Sequence, residues 1–109
     1  MTAVSVPEPV GSFIETVNAH DENGFLEAFT TDGFVDDWGR VFTGRDQIKG
    51  WSDKEFIGAT GVLTPTSVTV DGDLITVVGD WRSTHANGLS RFEFRVSGDQ
   101  LASMTIREG

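Results

Sequence analysis

Residues 80–95 read DWRSTHANGLSRFEFR, and the fold depends on how this stretch turns back on itself. Asn87-Gly88 is a strong two-residue hairpin signal, because such turns need positive φ and these residues adopt it at least cost. A turn there sets Ala86 opposite Leu89 and fixes every other pair. Asp80 then meets Arg95 and Arg82 meets Glu93 on one face. Trp81 with Phe94, Ser83 with Phe92 and His85 with Ser90 share the other. One side is a charge ladder and the other an apolar wall, and a slip by one residue would bury the ions.

The same period of two runs outward from this hairpin. Asp71-Gly72 and Ser97-Gly98-Asp99 are further turn signals, so the chain after Gly61 divides into four strands of a meander. Parity about Asp71-Gly72 matches Val68 to Ile75, Thr66 to Val77 and Val62 to Trp81. Met104 and Ile106 in the last strand extend the wall. Before Gly61 the period changes. Val10, Phe13, Ile14 and Val17 form the stripe of an amphipathic helix over 7–19, opened by prolines. Asp21 suits the N-cap of a short helix with the stripe Phe25, Leu26 and Phe29, ending near Thr31-Asp32-Gly33. Residues 34–38 and 40–43 read as extended pieces around Gly39. A third helix over 46–56 carries Ile48, Trp51 and Phe56, and Gly58 and Gly61 mark its exit. Three helices in the N-terminal half covering the wall give an α+β fold with a curved antiparallel sheet.

Composition limits what this fold can do. At 109 residues, residues 7–109 make one domain, with 1–6 as a flexible leader. Lys and Arg number 8 against 17 Asp and Glu, a net charge of −9, which repels nucleic-acid backbones and anionic membrane surfaces. No basic, apolar leader is visible and no apolar run approaches the ~20 residues of a membrane span, so the cytoplasm is the expected location. With no cysteine and only His20 and His85, neither a disulfide nor a transition-metal site is expected, and no cofactor is called for. No serine elbow, phosphate loop or zinc-binding HExxH pattern occurs.

In GFVDDWG (33–39), two carboxylates stand among apolar residues. Alternation puts Asp36 with Phe34 and Trp38, and Asp37 with Val35, and does not by itself choose the inward acid. A carboxyl group enclosed by aromatic rings holds its proton more readily, which suits acid–base work near neutrality. Trp38, Trp51 and Trp81 are large amphipathic rings able to line an apolar cavity, Trp51 and Trp81 above all. His85, on the side of Trp81 and Phe92, is placed to donate or relay a proton. His20 reads as a surface residue near a helix end.

The order of two helices, a strand pair, a helix and a meander resembles the nuclear transport factor 2-like superfamily, which includes SnoaL-like polyketide cyclases and ketosteroid isomerase. The residues carrying the resemblance are VNAHDENGFLEAFTTDGFVDDWG (17–39), FTGRDQIKGW (42–51) and RFEFRVSGDQLASMTI (91–106). It implies a cone-shaped cavity between the concave sheet face and the helices, with Phe13, Trp38, Trp51, Phe56, Trp81, Ser90, Phe92 and Met104 around it. It also implies Asp37 as the general base, with Asp36 as the alternative; His85, by its own position, or an indole N–H would assist. The family's oxyanion-hole tyrosine falls on Phe13 and its second donor on Ser90. Loss of one such donor costs ~2.7–4 kcal/mol of transition-state stabilisation, which disfavours steroid isomerisation itself. The resemblance thus implies a small, largely apolar ligand and proton transfer of isomerase, cyclase or dehydratase type. The alternative is a non-catalytic binding or dimerisation module. It further implies a homodimer through the outer sheet face, where Asp80, Arg82, Arg91, Glu93 and Arg95 would make the contact polar.

Overall fold

A computed structural model describes residues 4–109. The chain runs α1 (Val10–Asn18), α2 (Glu22–Glu27), β1 (Phe29–Asp37), β2 (Arg40–Thr43), α3 (Arg45–Glu55), β3 (Val62–Asp71), β4 (Leu74–Arg82), β5 (Gly88–Ser97) and β6 (Gln100–Glu108). The strands form one curved, unclosed sheet in the order β2-β1-β6-β5-β4-β3. Of the expected leader, residues 1–3 lie outside the described residues, while Val6 packs half-buried against the core. Among the described residues no helix is long and apolar enough to cross a membrane.

α1 buries Val10, Phe13, Ile14 and Val17, the stripe its spacing predicts. Asp21 caps α2 by accepting from the Gly24 N–H at 3.1 Å. That helix is shorter than expected, and Phe29 opens β1 instead of closing the helical stripe. The Ala28 carbonyl accepts from the Leu101 N–H at 2.8 Å, so the last strand draws the chain into the sheet at that point. Phe13, Phe25, Phe29 and Phe94 pack ring to ring at 5.5–5.6 Å beneath the helices.

The pairing departs from expectation in three places. β1 lies parallel to β6, so the otherwise antiparallel sheet is mixed. A parallel pair needs a long crossover, here everything between the two strands. At the second hairpin Val77 pairs with Phe92, Ile75 with Phe94 and Trp81 with Gly88, not Trp81 with Phe94. The slide is by an even number of residues, so the apolar face stays apolar while the expected Asp80–Arg95 and Arg82–Glu93 pairs are lost. Its cause is local: the Ser83 hydroxyl accepts from the N–H groups of His85 and Ala86 at 3.1 and 2.9 Å, and the Asn87 carboxamide accepts from the Ser83 N–H at 2.9 Å. These bonds hold 83–87 as a loop where a two-residue turn was expected. Arg95 pairs instead with Asp73, Arg91 with Glu93 and Arg82 with Asp80.

At the first hairpin Asp71 pairs directly with Leu74 about Gly72-Asp73, which brings Val68 opposite Val77. An irregularity between Pro65 and Ser67 then reverses parity, so Leu63, not Val62, faces inward opposite Trp81. Proline has no N–H for the ladder, and a bulge accommodates it.

Candidate functional site

β1 positions the two acids. Val35 is fully buried and Asp37 shares its side, while Phe34 and Asp36 face outward. Asp36 receives both terminal nitrogens of Arg107 at 3.1 Å and the Gly39 N–H at 2.8 Å. The Arg107 guanidinium holds its carboxyl below the usual carboxylate range, against the opposing effect of partial burial. Trp38 and Gly39 both adopt positive φ, 54° and 93°, in a two-residue turn that sets Asp37 opposite Arg40.

Asp37 opens onto a pocket of about 180 Å³. Its walls are the rings of Trp38, Trp51, Phe56, Trp81 and Phe92, with Ile106. Arg40, Glu55, His85, Ala86 and Ser90 complete it. Phe56 is sandwiched between Trp51 and Trp81 at 4.9 and 4.6 Å, and Phe42 continues the stack beyond Trp51 at 5.9 Å. Trp51 and Trp81 are buried, whereas Trp38 is 59% exposed and stands at the rim.

Polar groups form one connected chain along the pocket. The Trp51 indole N–H donates to Asp37 Oδ2 at 3.1 Å, and Arg40 pairs with that same oxygen. Arg40 also grips both oxygens of Glu55, at 3.0 and 2.6 Å, and His85 Nε2 lies 3.1 Å from Glu55 Oε1. Asp37 Oδ1 has no hydrogen-bond partner among the described residues. The Arg40 guanidinium is the main cause that keeps the Glu55 carboxyl below its ordinary range, with burial opposing and His85 assisting. Reciprocally, Glu55 and then Asp37 raise Arg40 further above its already high value.

Two residues expected around the cavity do not border it. Phe13 is packed among Phe25, Phe29 and Phe94. Met104 is fully buried between Val35 and Phe94 on the neighbouring strands. The open space lies further along the sheet, beside Asp37 and Ile106. His85 sits in the 83–87 loop instead of on a strand. His20 does not line the pocket and contacts the Gly61 carbonyl at 3.1 Å through Nε2.

Arg40, Glu55 and Ala86 are lining residues that the sequence reading missed, whereas Ile106, read as part of the apolar wall, also borders the pocket. Signals existed for two of them. Glu55 follows Trp51 by four residues, hence on the same helix face. Arg40 follows a Trp-Gly pair that sets it across from Asp37 once both turn residues take positive φ. No group of three or more His, Cys, Asp or Glu side chains fit for a metal ion assembles among the described residues.

The sequence profile of the SnoaL-like domain matches residues 10–109. Among solved structures the chain is similar to a Sinorhizobium meliloti protein regarded as a candidate polyketide cyclase, at 23% identity and a TM-score of 0.82, covering 94% of this chain and 95% of the other. It is similar to a Catenulispora acidiphila hypothetical protein of ketosteroid isomerase-like fold, solved with trimethylamine, at 23% identity and a TM-score of 0.76, covering 96% and 88%. It is also similar to SalBIII, an epoxide hydrolase/cyclase-like enzyme of pyran ring formation in salinomycin, at 18% identity and a TM-score of 0.83, covering 92% and 87%. At these identities the likeness establishes the fold. No curated protein matches this chain.

Proposed function

The chain belongs to the SnoaL-like domain family, and on that premise we propose that its pocket binds a small, largely apolar molecule on which Asp37 moves a proton without a cofactor. The observation that carries this reading is the asymmetry of the Asp37 carboxylate. Oδ2 is held by the Trp51 indole and by Arg40, while Oδ1 has no partner among the described residues. Two donors on one oxygen fix the plane of the group and leave lone pairs on the other to accept a substrate proton. Trp51 and Arg40 are then positioning residues. His85 and Ser90, also at the pocket, supply an imidazole and a hydroxyl, in that order, to a substrate oxygen.

Ring closure, double-bond isomerisation and dehydration share the need for such a base. The cyclase and epoxide hydrolase/cyclase-like descriptions of two structural neighbours support the ring-closing member of this set. At about 180 Å³ the pocket falls below the ~300–1,000 Å³ usual for ligand sites, which points to a compact substrate.

Hydrogen–deuterium exchange at the α-carbon of small enolisable ketones, followed by proton NMR in heavy water, tests the proposal. The wild-type chain is expected to accelerate exchange, and Asp37→Asn to lose roughly 10²–10⁴ of that acceleration. Undiminished exchange in the variant would remove Asp37 as the base. A second reading, a non-catalytic binding module, is favoured by the Asp37–Arg40 ion pair and by Phe13, which carries no donor, at one of the family's donor positions. It is distinguished by two outcomes together: the wild-type chain never accelerates exchange, and ligand binding survives in Asp37→Asn.

A further inference from the structure

One wall of the pocket is shared. Arg40, Trp51 and Glu55 line the inner pocket, and the same three line an outer groove of about 490 Å³ that continues past Phe42, Gln47 and Lys54. They are therefore a partition between two hollows. Trp51 is a fixed part of it, 4% exposed, stacked between Phe42 and Phe56 and bonded to Asp37. Glu55 is anchored in the last turn of α3.

Arg40 is held differently. It sits on the four-residue edge strand β2, its side chain is 52% exposed, and it lies over the Phe42 ring at 5.7 Å from the centroid. Its side-chain polar contacts are the carboxylates of Asp37 and Glu55. The guanidinium thus works as a strut across the gap, on a long stem that meets the aromatic stack at its outer end, Phe42.

We propose that Arg40 determines the length of ligand the site accepts. With the strut in place the inner pocket takes a compact, neutral, apolar molecule and excludes one bearing a tail. Without it, pocket and groove become one channel along α3. An anionic ligand is disfavoured because both terminal guanidinium nitrogens are already spent on carboxylates, while Asp37 and Glu55 repel negative charge. This inference rests on the inner pocket being the ligand site.

Isothermal titration of the full chain with acetophenone and hexanophenone tests it, using wild type, Arg40→Ala and Glu55→Gln. The hexanophenone-to-acetophenone affinity ratio is expected to rise about tenfold in Arg40→Ala, with a smaller rise in Glu55→Gln, which frees one end of the strut. If Arg40→Ala fails to give a cooperative thermal melt, the Glu55→Gln ratio decides. Acetophenone binding with a ratio unchanged within about twofold in the folded variants overturns the role of Arg40 alone. Binding of neither ketone to any of the three proteins overturns the pocket reading and this inference with it.

Discussion

Replacing Trp51 by Phe keeps a ring in the stack and deletes one of the two donors that steady Asp37 Oδ2, leaving Arg40 as the other. A hydrogen bond to a charged group contributes ~1.5–3 kcal/mol, so Trp51→Phe is expected to slow α-proton exchange by about tenfold or more at near-unchanged ligand affinity. Equal losses in rate and affinity would show that the indole matters only for packing. Glu55 permits a pH test. Arg40 depresses its folded-state pKa, so its contribution is complete above the unfolded-state value of ~4.3 and vanishes as pH falls through the folded value. Arg40 is half exposed, so solvent screening limits the effect. Glu55→Gln is expected to lower Tm by roughly 1–5 °C at neutral pH, with the gap closing in acid, as thermal melts across a pH series would show. At this scale the sequence carried the pair of acids but not the choice between them. Phe34 and Trp38, apolar companions of Asp36, suggest a buried face, yet Phe34 is 37% exposed and Trp38 leaves the alternation at a positive-φ turn.

Between α3 and β3 the backbone passes so close to its neighbours that only glycine fits at two positions. A Cβ on Gly58 would stand 1.7 Å from the Asp53 carbonyl oxygen, and one on Gly61 would stand 2.0 Å from Trp81 Cη2. Gly61→Ala is expected to push Trp81 into the pocket and destabilise the fold by ~1–3 kcal/mol. Gly58→Ala, which meets rigid backbone, is expected to cost more, and urea denaturation would rank the two. The end of α1 is fastened to β3 by Asn18, whose carboxamide donates to the Leu63 carbonyl at 2.9 Å and accepts from its N–H at 2.8 Å. Asn18→Ala unties both and is expected to cost ~1–3 kcal/mol. Helices and strands were legible because their apolar periods, 3.6 and 2, are local properties of the chain. Register was less so. The Pro65 bulge and the Ser83–Asn87 hydrogen bonds each add residues that alternation does not count, and the β1–β6 pairing joins residues about 70 positions apart.

Across the whole molecule the outer sheet face carries its ions already paired, Arg91 with Glu93, Arg95 with Asp73 and Arg82 with Asp80. A homodimer built on that face would be polar at its centre, with Leu89, 54% exposed, as an apolar contact. Such a dimer is expected to dissociate as salt rises from about 50 to 500 mM, the range over which the Debye length shrinks to a few ångströms. A mass by light scattering that stays dimeric throughout would place the contact elsewhere. The pocket has one more consequence. All three tryptophans border it and the chain contains no tyrosine, so every strongly fluorescent side chain surrounds a single hollow. Occupancy of that hollow should therefore alter the emission of the entire protein, which acts as its own optical reporter without any attached dye.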